Sequence, residues 1–415
     1  MNRYRDIIGR INYGLFLAFV ALLPFPQIFI RYACVLWFVF WVLEGRWLSR
    51  SLPVRENRIV IPVVLFGLWY GWKAVSGLWA PDHAVWSGQM ERYLTFALMI
   101  PVGIWGVNKR YDWRTAGKVL IVSCIAAVPF YPALLAYLWH HPETAYALEP
   151  NQPWHYEITE WWPFFQENVS FMKHRLFLCS VELFGLICAF VLYRKRVLLF
   201  LPAAAVMLST VPLTGSRQSI LTAAAIVVIV LIYALPERLR LRYGIAVILI
   251  GLVGAAGMLS LHPRMADFSL HNLTQITDVS VRKPEPRLNI WGLALENPSD
   301  YMAVGLGAGQ STPYLIAKYK ATGFDDFAQM RYNAHNQYLE ELMEGGIPGL
   351  VLLILAWLAV PICAQGEGKM TAIPFFVLYT LNMLTDCMFG RFCGIALWAV
   401  GLLFILLQSH AESEE

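Results

Sequence analysis

FMKHRLFLCSVELFGLICAFVLYRKRVLLFLPAAAVMLSTVPLTGSR, residues 171–217, decides the fold. Two apolar runs, 171–193 and 197–213, flank the basic triplet Arg194-Lys195-Arg196, and the second ends on the polar turn Thr214-Gly215-Ser216-Arg217. Wound as a helix, each run approaches the roughly 30 Å of a bilayer's hydrocarbon core. Lipid offers the backbone no hydrogen bonds, and a helix satisfies its own N–H and C=O groups within one segment. Two membrane helices joined by a cationic turn are thus the unit to look for in the rest of the chain.

Such runs recur near residues 11–25, 27–43, 59–79, 92–107, 119–139, 171–193, 197–213, 218–235, 244–261, 346–364, 371–388 and 392–408. They predict an all-α, polytopic integral membrane protein with about twelve transmembrane helices, a single membrane domain over residues 1–415. Composition agrees. Hydrophobic residues make up 58% and charged residues 14%, and mean hydropathy is +0.53. That leaves too few charges to cover a water-soluble fold of this size. The net charge of +4 is spread in short clusters between apolar runs, a pattern that orients helices in a membrane, so nucleic acid is not an expected partner.

Connections 1–10, 44–58, 108–118, 194–196, 236–242 and 365–370 hold eighteen Lys and Arg. The alternate short connections hold six: Arg31, Arg92, Lys173, Arg175, Arg217 and Arg391. The basic set, with both termini, is therefore expected to be cytoplasmic. Arg3, Arg5 and Arg10 ahead of apolar residues 13–23 resemble a signal peptide. The chain nevertheless continues through Pro24 and Pro26 into a second apolar stretch, which reads as a retained first helix. Cys34, Cys124, Cys179, Cys188, Cys363, Cys387 and Cys393 all fall in or beside apolar runs. Small buried side chains are expected there, not disulfides or zinc ligands.

Two outer segments are long enough to build a site: 140–170, and a large loop at 262–345. The first mixes Glu143, Glu149, Glu157, Glu160 and Glu167 with Trp154, Trp161, Trp162, Phe164 and Phe165. That mixture suits either stacking on sugar rings or an interfacial aromatic belt. The second carries Asn333-Ala334-His335-Asn336-Gln337-Tyr338-Leu339-Glu340-Glu341 ahead of the run at 346–364. One helix through this stretch would put His335, Leu339, Leu342 and Met343 on one face and Glu340, Glu341 and Glu344 on another. His335 is the side chain here suited to take a proton at neutral pH, with a structural histidine as the alternative.

Arg217 sits in the polar turn, and Arg287 in the first turn of a helix opened by Pro284 and Pro286. Both present planar forks that match phosphate; the alternative for Arg217 is a snorkelling boundary anchor, and for Arg287 a solvated arginine beside Glu285. Lys73, Arg92, His174, Arg175 and Asp386 lie near the same boundary, where they could line one cavity or form ion pairs. Gly305-Leu306-Gly307-Ala308-Gly309 lacks the strand and the Lys-Ser/Thr of a nucleotide loop, and reads as a flexible turn against which a ligand or a helix packs. No Asp-x-Asp sequence occurs, and Asp325-Asp326 and His140-His141 lack further ligands nearby. The expected chemistry uses neither metal nor cofactor.

Together, the Thr-Gly-Ser-Arg turn, the loop arginine followed by Trp291, the glycine run 305–309 and His335-Asn336 ahead of a Gly-rich approach to a span carry a resemblance. In order and spacing, residues 205–360 resemble the O-antigen ligase and polymerase superfamily. Chain length and the single large outer loop are most similar to its lipopolysaccharide O-antigen ligases. The resemblance implies a multi-pass enzyme of the bacterial inner membrane that works on the periplasmic face. Its donor would be a glycan on undecaprenyl pyrophosphate, its acceptor a terminal sugar of lipid A-core, and its setting the membrane lipids around both. It also implies catalytic roles for His335, as base or orienting group, and for Arg217 and Arg287 on the pyrophosphate, with inversion at the anomeric carbon. Asn336, Arg175, His174, Lys73, Arg92 and Asp386 are the expected substrate-binding residues. O-antigen polymerases and protein O-oligosaccharyltransferases carry similar motifs and stay open as readings. A transporter of lipid-linked glycan is the alternative from another class, although such proteins place polar sites near the midplane of two repeated halves.

Overall fold

The computed structural model describes residues 2–45, 58, 60–107, 110–149, 154–260 and 285–411. Residues 262–284, the first part of the large loop, lie outside the described residues, as do parts of the connections 44–58 and 108–118.

Among the described residues the chain is helical throughout. In order it runs α1 (Asn2–Leu22), α2 (Gln27–Glu44), α3 (Val60–Val75), α4 (His83–Arg92), α5 (Leu94–Trp105), α6 (Trp113–His140), α7 (Pro142–Leu148), α8 (Trp161–Met172) and α9 (Arg175–Tyr193). It continues with α10 (Val197–Thr214), α11 (Arg217–Ala234), α12 (Glu237–Ser260), α13 (Pro286–Leu295), α14 (Ser311–Ala321), α15 (Asp325–Gln329), α16 (Gln337–Cys363), α17 (Glu367–Met383) and α18 (Phe392–Ala411). Each of the twelve apolar runs falls on a helix. Eight helices among the described residues are long and apolar enough to cross a membrane, judged by length and composition; Leu94–Trp105 and Arg242–Gly257 are apolar but shorter. The chain is a polytopic membrane protein.

Local chemistry sets several boundaries. Asp82, Asp112, Ser216 and Asn336 stand in extended conformation at the N-caps of α4, α6, α11 and α16, where their side-chain oxygens accept first-turn N–H bonds. Gly215 takes the left-handed conformation, φ 59°, that turns the chain from α10 into Ser216. The centre of the bundle is α9 and α18, whose apolar windows are 89% buried, against 33% for α2, α6, α10 and α11. All seven cysteines are buried and free. At the end where α9 begins, Asn382 of α17 accepts from Thr222 and donates to Ser180, both at 2.9 Å. Gln218 donates to the Leu381 carbonyl at 2.7 Å. These bonds fix the first turn of α11, and so Arg217, against the end of α17.

The aromatic residues of segment 140–170 are largely consumed by packing. Trp154 and Phe165 are buried with Tyr131, Leu135 and Leu138 of α6, and Trp161 and Phe164 stack on Trp139. Trp162 stays 46% exposed. The segment is a cap on α6 with little open aromatic surface.

α16 is interrupted at Gly346, φ 63°, two residues before Pro348. The carbonyls of Met343 and Glu344, freed by the break, accept from the N–H groups of Leu306 (2.8 Å) and Gly307 (3.0 Å). Ile347 N donates back to the Met302 carbonyl at 2.8 Å. Glycine is required on both sides: a Cβ on Gly305 would stand 2.3 Å from the Glu344 carbonyl oxygen, and one on Gly346 would stand 2.7 Å from the Gly305 nitrogen. The run 305–309 is thus the turn against which a helix packs. Trp72 and Trp79, at the end of α3, donate to the Gly345 and Gly305 carbonyls and lock the junction.

Candidate functional site

His335 does not lie on the helix. α16 starts at Gln337, and His335 precedes the cap with φ 45°, a conformation uncommon for a residue with a Cβ. The expected shared face with Leu339, Leu342 and Met343 therefore does not form. The reason is the cap itself: Asn336 Oδ1 accepts from Tyr338 N and Leu339 N, each at 3.0 Å, while its Nδ2 donates to the Leu384 carbonyl at 3.1 Å. Expected as a substrate-binding residue, Asn336 spends these bonds on holding the turn. Around it, Asn333 Oδ1 accepts from His335 N (3.2 Å), Glu340 accepts from Ala334 N (3.1 Å), and Trp291 Nε1 donates to the Ala334 carbonyl (2.8 Å). The left-handed conformation, which costs on the order of 1–3 kcal/mol, is thus fastened on both sides.

The glutamates are also placed otherwise than a solvated face would have them. Glu340, Glu341 and Glu344 are buried. Lys73, fully buried on α3, reaches Glu341 at 2.8 Å and Glu344 at 2.9 Å, and Ser311 donates to Glu340 (2.6 Å) and Glu344 (3.0 Å). Lys73 is tied into this network behind the cavity wall.

A cavity of about 950 Å³ opens beside the turn, lined among others by Arg31, Arg92, His174, His335, Gln337 and Arg391. A smaller one of about 240 Å³ shares His174 and Arg391 with it. Asp386, 8% exposed in its side chain, lies between the two histidines: its oxygens are 3.9 Å from His335 Nδ1 and 3.9 Å from His174 Nε2. These are ion-pair distances, too long for hydrogen bonds, and His335 Nδ1 and His174 Nδ1 have no hydrogen-bond partner among the described residues. Burial holds the His335 imidazole below the usual histidine range, against the pull of Asp386; Arg287 and Arg391 add to the lowering. Burial pushes His174 down to about 4, with Arg391 and Arg175 assisting. Burial works to raise Asp386, but His174, His335, Arg391 and Arg287 together hold its carboxyl below the ordinary range.

The remaining expected residues separate into two groups. Arg217 bonds Glu285 at 2.7 Å and Arg287 stands 3.6 Å from the same carboxylate, so one glutamate gathers both loop arginines. Arg287 acts electrostatically on His335 and Asp386 from the first turn of α13. Arg92 lines the cavity next to Gln89. Arg175 turns away, to Ser170 Oγ at 3.1 Å and Glu167 at 3.7 Å. Arg31 and Arg391 line the cavity although sequence reasoning counted them only toward orientation. Their signal was available, since they are two of the six basic residues on connections otherwise poor in charge.

Among curated proteins none matches this chain. A family model described as O-antigen ligase matches residues 202–354, a stretch holding Arg217, Glu285, Arg287 and His335, though not His174 or Asp386. Over residues 202–354 the chain is similar to the O-antigen ligase family, whose members are glycosyltransferase-like membrane enzymes.

Proposed function

We propose that the protein transfers a preassembled glycan from undecaprenyl pyrophosphate to a sugar hydroxyl of lipid A-core, on the periplasmic face of the bacterial inner membrane. Segments 140–170 and 262–345 then face the periplasm and both termini the cytoplasm. The observation that carries this reading is a neutral imidazole on the wall of a 950 Å³ cavity, backed by a carboxylate and ringed by arginines. A compartment without nucleotide triphosphates needs a donor activated in advance, and a lipid pyrophosphate is one.

His335 takes the proton from the acceptor hydroxyl as its oxygen attacks the anomeric carbon, and the bond from that carbon to the pyrophosphate oxygen breaks with its electron pair on the leaving group. Attack opposite the leaving group inverts the centre. Asp386, facing Nδ1, stabilises the imidazolium that forms and leaves Nε2 to the acceptor. Arginine forks take up the charge that grows on the pyrophosphate. Arg287, with Arg217 beside it on Glu285, is the loop contribution; Arg31, Arg92 and Arg391 supply the cavity's rim. Arg175 and Lys73 support from behind, one beside His174 and the other beneath Glu344.

The test is reconstitution of the purified protein with lipid-linked glycan and lipid A-core, in chelator and without nucleotide. Product on lipid A-core is expected at an undiminished rate. Extension of the donor glycan itself would mark a polymerase, and product on a protein acceptor an oligosaccharyltransferase. A rate that collapses in chelator and returns with one metal would overturn the metal-independent mechanism.

A further inference from the structure

At the far ends of α9 and α17 from His174 and Asp386 lies a separate cavity, of about 340 Å³. The 19 residues of α9 put it roughly 28 Å away along the bundle. Five cations from three elements line it: Arg114 and Lys118 of α6, Arg194 and Lys195 of the turn after α9, and Arg196 at the cap of α10. One carboxylate answers them. Glu367 lies 3.3 Å from Arg114 and 3.9 Å from Arg194, and Arg194 also contacts the Met370 sulfur. Arg114 lies over the Trp113 ring at 5.2 Å. Lys118, Lys195 and Arg196 have no carboxylate within ion-pair distance among the described residues.

Two further features point to what fills the pocket. Arg196 caps α10 without a side-chain hydrogen bond, so no capping side chain accepts from the first turn of this 18-residue helix. Directly beyond the cap, Val197, Leu198, Leu199 and Leu201 are 55%, 90%, 52% and 58% exposed, an apolar strip of chain that begins at the residue after the pocket-lining Arg196. A phosphate seated among the cations would leave acyl chains lying along that strip.

We infer that this pocket binds the phosphodiester headgroup of an anionic membrane phospholipid, with its acyl chains on the exposed face of α10. Cations gathered between helix ends are suited to such a headgroup, and a zwitterionic lipid would set its own ammonium against them. The site is independent of the transfer chemistry at His335.

Native mass spectrometry of the full chain in detergent tests it, with phosphatidylglycerol, phosphatidylethanolamine or inorganic phosphate added at equal concentration. One phosphatidylglycerol per chain should be retained in preference to phosphatidylethanolamine. Lys118→Gln/Arg196→Gln should weaken that retention roughly ten- to thirtyfold. Arg238→Gln/Arg242→Gln removes the same charge from outside the pocket and should leave retention unchanged. Equal loss in the two double variants would reduce the effect to general surface charge and overturn the inference. So would equal retention of the zwitterionic lipid, or displacement of phosphatidylglycerol by equimolar inorganic phosphate, which would make the pocket a site for soluble phosphate.

Discussion

His335 is held in a conformation its neighbours enforce and at a proton affinity that burial lowers. Both properties suit a base that must be neutral before it acts, and both make it testable. His335→Ala should insert and fold normally, since the turn is fastened by Asn336, Glu340 and Trp291, yet lose roughly 10²–10⁴ in transfer rate; a folded variant with full activity would make the histidine structural. In the intact protein the rate should fall with acidification, with a midpoint below about 6.5 because the imidazole is depressed. Asp386 opposes that depression, so Asp386→Asn should move the acid limb to still lower pH while reducing the maximal rate. A limb that moves upward in a pH–rate series would show that the carboxylate does not face the working imidazole. Of this arrangement the sequence revealed the residue types and little of the geometry. A side-chain cap at Asn336 was readable from residue type, and reading it would have started the helix after His335. The pairing of two histidines on Asp386 was not, because it depends on how α9, α16 and α17 pack.

At the scale of elements, the decisive unit is the broken helix α16 with the strap 302–307 laid across its gap. Gly346→Ala would force a Cβ into the strap and a side chain into φ 63°, and a loss of about 1–3 kcal/mol or more is expected. Thermal unfolding in detergent should report it as a lowered midpoint; an unchanged midpoint would mean the strap yields freely. The lysine beneath the gap follows a different rule. Lys73→Met leaves Glu341 and Glu344 buried without their cation, a loss of about 3–5 kcal/mol. The triple Lys73→Met/Glu341→Gln/Glu344→Gln should recover much of it, and its failure to do so would show that the ion pairs themselves, and not the stranded charge, carry the stability. The helical runs were legible because hydropathy periodicity is local. The inward turn of the glutamates was hidden because their partner lies about 270 residues earlier.

For the whole molecule, the alternation of basic-rich and basic-poor connections sorted the chain into two ends, and the structure gathers Arg31, Arg92, His174, His335 and Arg391 from the basic-poor end into one cavity. The assignment of that end to the periplasm is open to direct measurement. Ala321→Cys, on an exposed helix end near the site, should react with an impermeant thiol reagent in intact spheroplasts, and Lys195→Cys only after lysis. Buried native cysteines keep the background low. The reverse pattern would invert the topology and remove the case for a periplasmic reaction.

The wall of that cavity is drawn from almost the full length of the polypeptide, from Gln27 to Phe392. Contacts of such long sequence separation close late, and a chain inserted in order of synthesis supplies Asp386 and Arg391 only after Arg31, Arg92, His174 and His335. Every intermediate of synthesis that has Arg31 and Arg92 but not yet Arg391 and Phe392 holds an unfinished vessel. Order of synthesis therefore bears on the proposed activity: a nascent chain that has not yet made Asp386 and Arg391 lacks part of the cavity on which the proposed transfer depends.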